Sequence, residues 1–166
     1  QVECVIAAIP LALQREPELK VAYGAIEQEL KRMGVEKPDV KMVSQAVCNI
    51  RSSKLPDPAK IGNAGSFFKN PEILQEQFEK IREEYPGVVA YSLPGGNVKL
   101  AAGWLIEQCG WKGKVVGNTG AHVNQALVLV NYGKATGNEI RSLALDIKES
   151  VLLKFGVVIE PEVNII

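Results

Sequence analysis

Two prolines in Leu55-Pro56-Asp57-Pro58, followed closely by the glycine-rich run Gly62-Asn63-Ala64-Gly65-Ser66, constrain this chain more than any other feature. Proline lacks a backbone N–H, blocks helix interiors and is confined to edges or bulges in sheets. Residues 51–65 are therefore expected to form a loop with defined turns. Before it, residues 2–14 are rich in Val, Ile, Leu and Ala and read as a buried strand, followed by the charged stretch 14–20. Ile26, Leu30 and Met33 then recur at helical spacing up to Gly34, a C-terminal stop. Asp39 caps a second expected helix, in which Val40, Val43, Val47 and Ile50 share a face.

After the loop, Asn70-Pro71-Glu72 has the form of a helix start, with an N-cap side chain, proline in the first turn and a carboxylate beside it. That helix is expected to run to about Glu84, ahead of Tyr85-Pro86-Gly87. Pro94-Gly95-Gly96 reads as a turn, and Leu100, Trp104 and Ile106 as a helix ending near Cys109-Gly110. Strands are expected at 114–116 and 126–130, a helix at 138–154 stopping at Gly156, and a final strand at 157–166. No GxGxxG follows a strand, and there is neither a P-loop nor an internal repeat. The expected fold class is α+β: a small mixed or antiparallel sheet with helices packed on one face, plus the N-terminal strand.

Composition narrows the function. With 166 residues and 46% hydrophobic content, the chain can bury one real core. Its 19 basic residues balance 19 acidic ones, so no global field draws it to nucleic acid or to an anionic membrane. An anionic ligand must be held by a local cluster. The apolar run 5–13 is too short to span a bilayer, contains Pro10 and follows Glu3 rather than a basic leader. Cys4, Cys48 and Cys109 are odd in number and lie in apolar stretches without CxxC spacing, which favours free thiols in a reducing, cytoplasmic setting. His122 is the sole histidine, so a metal site built on paired histidines is excluded. The start at Gln1, directly before a strand-like run, suggests a chain that begins inside a longer protein.

The densest polar cluster surrounds the glycine-rich run. Arg51, Lys54, Lys60 and Lys69 flank a turn with exposed amides, an arrangement that suits a phosphate or diphosphate and equally a solvated basic loop. Ser66, between that turn and Phe67-Phe68, could donate a proton in a partly dry pocket or bond nearby backbone. Asn70 could contact a ligand or serve only as an N-cap. In the C-terminal strand Glu160 and Glu162 share a face, and Pro161 argues for an edge or bulge. Lys99, Lys112 and Lys134 read as surface charges, Trp104 and Trp111 as core or rim, His122 as a structural loop residue and Gln125 as a polar strand end.

Four stretches in order carry a family resemblance: KLPDPAKIGNAGSFFKNP, KLAAGWLIEQCGWKG, QALVLVNYGKATGNEI and KFGVVIEPEVNII. They cover most of residues 54–166 and resemble the substrate domain of the UDP-N-acetylenolpyruvoylglucosamine reductases. The resemblance implies an oxidoreductase of peptidoglycan synthesis that converts UDP-N-acetylglucosamine enolpyruvate to UDP-N-acetylmuramate. In that family NADPH reduces a bound FAD, which delivers hydride to the methylene carbon of the enolpyruvyl ether. The adjacent carbon then needs a proton, and the developing enolate needs stabilisation.

By match to GNAGS, Ser66 aligns with the family's proton-donating serine; by match to EPEV, Glu162 aligns with the glutamate that assists the enolate, with Glu160 as the lesser choice. Lys54 and Asn70 resemble residues that hold the UDP-sugar, and Tyr23 the tyrosine that closes over the diphosphate. Tyr91, Lys112 and Gln125 are further substrate-contact candidates. The pattern departs where an arginine often occupies the position of Asn164.

The family's flavin loops have no counterpart here. Residues 1–20 are accordingly expected to be a remnant of the FAD-binding domain and 21–166 the substrate-binding domain, with no cofactor bound to this piece alone. The first strand would then be an apolar edge, covered by the rest of the sheet or by self-association. A non-catalytic nucleotide-sugar-binding module is the alternative.

Overall fold

The computed structural model describes residues 8–10, 12–22 and 25–165. The expected strand at 2–14 lies largely outside the described residues, and among those described Ile9 and Leu13 are exposed. Tyr23 also lies outside them. The chain divides into two compact units, Gln1–Arg51 and Ser52–Ile166.

In the first unit, α1 (Ile26–Arg32) buries Leu30 and is followed by Gly34, whose amide donates to the Lys31 carbonyl. Helix α2 (Val40–Lys54) begins where expected, with Asp39 Oδ1 accepting from the Met42 amide at 2.8 Å. Glu29 joins the two helices: it accepts two bonds from Arg32 at 2.7 Å and one from Asn49 at 2.8 Å. Those bonds, the Arg32 guanidinium first, hold its carboxyl down at about 2.

The second unit contains two antiparallel sheets. One has the order β1-β7-β6-β5, formed by Gly62–Ser66, Gln125–Asn131, Thr119–His122 and Val115–Val116. The other has the order β2-β4-β3, formed by Glu72–Leu74, Asn97–Leu100 and Ala90–Ser92. Helix α3 (Gln75–Glu84) follows β2, α4 (Ala102–Gln108) follows β4, and α5 (Gly137–Phe155) follows β7. Leu105 and Ile106 of α4 and Leu143, Ile147 and Val151 of α5 join Ala121 and Leu129 of the first sheet in one core, which also takes in Val98 and Leu100 of the second. The α+β expectation holds, with sheets that are wholly antiparallel. Helix α5 has the sharpest ends, a Thr136/Glu139 capping box at one and Gly156 at the other.

Several local expectations give way. Residues 62–66 are a strand rather than loop, because β7 supplies pairing partners for a segment with little apolar alternation of its own. Asn70-Pro71-Glu72 does not start a helix: β2 intervenes and α3 begins at Gln75. Asn70 Oδ1 instead accepts from the Ala102 amide at 2.9 Å and so caps α4. Leu100 ends β4 rather than joining a helix, and His122 ends β6 rather than lying in a loop. Strand β6 contains Gly120 because nothing larger fits, since a Cβ there would lie 2.6 Å from the Lys114 carbonyl oxygen. Residues 157–165 form no strand of their own and pair only locally with the segment after β1, through a bridge between Phe68 and Pro161. Cys48 is exposed rather than packed in apolar surroundings.

Candidate functional site

Three adjacent chain segments meet beside Ser66. The Phe67 amide donates to the Leu127 carbonyl of β7 at 2.8 Å, and on the opposite side the Phe67 carbonyl accepts from the Glu162 amide at 2.8 Å. The Lys69 amide donates to the Glu160 carbonyl at 2.9 Å. Glu162 therefore lies opposite Phe67, so the segments that carry Ser66 and Glu162 run side by side although they come from opposite ends of the unit. Both are exposed, while Phe67 and Phe68 behind them are buried and packed edge to face with ring centroids 5.1 Å apart. No hydrogen bond of the Ser66 hydroxyl occurs among the described residues, which leaves it available to a ligand.

The approach to Ser66 is irregular. Gly62 faces Asn131 and Asn63 faces Val130, but Ser66 faces Val128. Ala64 and Gly65 thus stand opposite the single residue Leu129, a β-bulge. Gly65 takes φ +75°, in the left-handed region that favours glycine. Asn63 spans the bulge: its Nδ2 donates to the Ile61 carbonyl at 2.9 Å and its Oδ1 accepts from the Gly65 amide at 3.1 Å. Asn63 carries neither charge nor a nucleophile, and its sequence signal is its place two residues before a glycine, the spacing of an Asx turn.

Gln125 opens β7, two residues before the Leu127 that bonds to Phe67. It is half-buried against α4, where a Cβ on Gly103 would come within 3.1 Å of its Oε1. Asn70 follows β1, and with Oδ1 committed to α4 it retains an Nδ2 donor. Lys54 is exposed at the C-terminal end of α2, next to Ser53, whose carbonyl accepts from Asn124 in the turn before Gln125. The chain segments that carry Ser66, Glu162, Gln125 and Asn70 thus lie toward one end of the first sheet.

Two candidates lie elsewhere. Tyr91 is exposed on β3 of the second sheet opposite Lys99, which pairs with Glu72 at 3.1 Å. Lys112 follows α4, with its ammonium bound to Glu107 at 2.8 Å. An apolar cavity of about 320 Å³ borders β1, lined by Ala64, Phe67, Leu129 and Ile140 among others. Among the described residues, no group of three or more His, Cys, Asp and Glu side chains could hold a metal ion, and no helix is long and apolar enough to cross a membrane.

Known proteins match this sequence closely. Residues 57–166 fit the family model described as UDP-N-acetylenolpyruvoylglucosamine reductase, C-terminal domain. A UDP-N-acetylenolpyruvoylglucosamine reductase of Pseudomonas syringae pv. tomato is 50% identical over 161 residues, covering 97% of this chain and 48% of the relative. The reductase of Chromobacterium violaceum is 51% identical over 158 residues, or 95% of this chain and 46% of the relative. That of Flavobacterium johnsoniae is 49% identical over 153 residues, or 92% and 45%. The chain spans about half the length of the relatives it matches. The matched region contains β1, its bulge and the paired C-terminal segment, and on that evidence the chain belongs to the UDP-N-acetylenolpyruvoylglucosamine reductase family, within its C-terminal domain.

Proposed function

We propose that this chain is the substrate-binding part of a cytoplasmic, flavin-dependent reductase of peptidoglycan synthesis, which converts UDP-N-acetylglucosamine enolpyruvate to UDP-N-acetylmuramate with NADPH. The observation that supports this reading is the bond from the Glu162 amide to the Phe67 carbonyl, which brings the C-terminal EPEV segment against the chain that carries Ser66. Residues 1–20 in this reading complete an FAD-binding domain and 21–166 form the substrate-binding domain. The apolar stretch at the N-terminus would pack on the rest of the flavin domain, or on a second copy of this chain when that domain is missing.

The described residues do not themselves fit a flavin. Gly62–Ser66 is a strand paired to β7, not a loop opening onto a helix N-terminus, and no other segment forms a dinucleotide cradle. The FAD and NADPH sites are therefore assigned to the remainder of the longer protein, and the flavin supplies hydride when bound there. What this chain contributes is the other half of the chemistry. Reducing the enolpyruvyl double bond adds one hydride and one proton, and Ser66 Oγ would give that proton to the ether carbon and regain one from solvent. Glu162 would assist the enolate that forms on the carboxylate side of the same double bond, a role that requires its carboxyl as the neutral, hydrogen-bond-donating acid.

Substrate contacts follow from position. Asn70 would donate through its Nδ2, and Gln125 and Lys54 would lie near the same end of the sheet. Tyr23, Tyr91 and Lys112 would reach the nucleotide-sugar only as outer contacts, Lys112 after exchanging its bond to Glu107.

The test uses the full-length protein. Ser66→Ala is expected to leave flavin reduction by NADPH intact while slowing substrate reduction by about 10²- to 10⁴-fold, the range of general acid catalysis. Equal turnover in that variant ends the proton-donor assignment. Titration with UDP-N-acetylglucosamine separates a nucleotide-sugar site from a solvated basic loop, since the latter yields no saturable signal.

A further inference from the structure

We infer that Asn63 is a positioning residue that holds the strand register in which Ser66 can act; the inference rests on the proton-donor reading of Ser66. Across a sheet, a one-residue slip moves every following side chain to the opposite face. If the pairing of Gly62 with Asn131 and Asn63 with Val130 continued without interruption, Ser66 would face Leu127. The bulge at Ala64-Gly65 brings it opposite Val128 instead, so the bulge decides which face Ser66 presents.

Hydrophobic patterning holds this register only weakly. Phe67 and Phe68 are adjacent, equally apolar and both buried, so exchanging their faces loses little of the usual apolar-in, polar-out signal. Something local must fix the choice, and the Asn63 side chain is placed to do so. Its amide closes onto Ile61 on one side and Gly65 on the other, at 2.9 and 3.1 Å. Each end of the amide bonds backbone two residues away, Ile61 before the strand and Gly65 within it. Asn63 thus shapes the path of the chain into Ser66.

In the full-length enzyme, Asn63→Ala should slow substrate reduction roughly 10- to 100-fold, as expected for a misplaced catalytic group. Flavin reduction by NADPH and the KM for the enolpyruvyl substrate should stay unchanged. Amide exchange at Gly65 should quicken, a readout independent of turnover. Asn63→Asp, which keeps an acceptor for the Gly65 amide, should recover part of the rate. In a Ser66→Ala background, Asn63→Ala should add nothing, because its effect passes through the serine.

Losses that multiply in the double variant, or a raised KM with kcat intact, overturn the positioning role. Normal turnover in Asn63→Ala beside a slow Ser66→Ala overturns it while sparing the proton-donor reading; normal turnover in Ser66→Ala removes both. If Asn63→Ala does not fold, Gly65 reports on the same register. A Cβ there meets no atom within 4 Å, so Gly65→Ala acts through φ alone, and Gly65→Asn, which tolerates the left-handed region, should restore the rate. Equal rates in Gly65→Ala and the parent enzyme would likewise overturn the inference.

Discussion

The two units hold themselves together by different means. Among the described residues of the first, only Leu30 and Ala46 are buried hydrophobics, and polar bonds dominate: Lys31 to Glu27, Arg32 to Glu29, Asn49 to Glu29 and Gln45 to Asn49. The second encloses a continuous core running from Phe67 and Phe68 through Leu100, Leu105 and Ile147 to Ile159. Apolar burial is insensitive to pH and salt, whereas exposed pairs are weak and screened. The exposed polar groups at Ser66 and Glu162 thus sit on a scaffold stabilised independently of them. Such a scaffold can hold a bulge and a left-handed glycine at its edge without losing its fold.

The contrast can be tested from its strongest consequence down. Leu100, fully buried in β4, should cost about 2–5 kcal/mol when changed to Ala, read by chemical denaturation of the second unit's transition. A cost no larger than that of a surface substitution would erase the distinction between the units. Gly120→Ala pushes a Cβ to 2.6 Å from the Lys114 carbonyl oxygen and should cost about 1–3 kcal/mol through displacement of β5 from β6. Thr136→Ala removes the two bonds of the Thr136 hydroxyl with Glu139, one of them the capping-box bond from the Glu139 amide, and should cost about 1 kcal/mol, with amide exchange rising first at Glu139.

The smallest effect belongs to the first unit. The Glu29 carboxyl is held down at about 2 against an ordinary 4.5, chiefly by Arg32 and then Asn49. A depressed carboxyl pKa stabilises the fold above the unfolded value, and that contribution disappears as pH falls from 4.5 towards 2. Amide exchange in α1 and α2 should therefore quicken across that window and do so less in Glu29→Gln. An identical acid response in Glu29→Gln would show that this carboxylate does not tie the helices together.

Legibility along the chain follows how local the signals are. Helix α2 was readable from Asp39 and the apolar spacing of Val40, Val43, Val47 and Ile50, and α5 from its apolar period and Gly156, because caps and periodicity act within a few residues. Strand β7 announced itself by its apolar run. Strand β6, reading Thr-Gly-Ala-His, has little strand propensity and exists because β5 and β7 pair with it on both sides. Asn70 satisfied every local criterion for capping the helix that follows it. Its oxygen went instead to Ala102, 32 residues away, and no local rule anticipates that competition. At the site, Ser66 and Glu162 stood out through resemblance to family motifs, while Asn63 carried a signal in its spacing to Gly65 that a search for reactive groups passes over.

Amino-acid order alone specified the α+β class, most helix ends and the absence of a global charge bias, since these depend on composition, period and capping within one or two turns. Long-range pairing decided everything that makes a site: that residues 62–66 become a strand, that Glu162 returns beside Phe67, and that Asn70 caps α4. The physical reason is that a strand cannot satisfy its own backbone donors and acceptors. Its existence, register and exposed face depend on neighbours distant in sequence, and Ser66 takes its orientation from them.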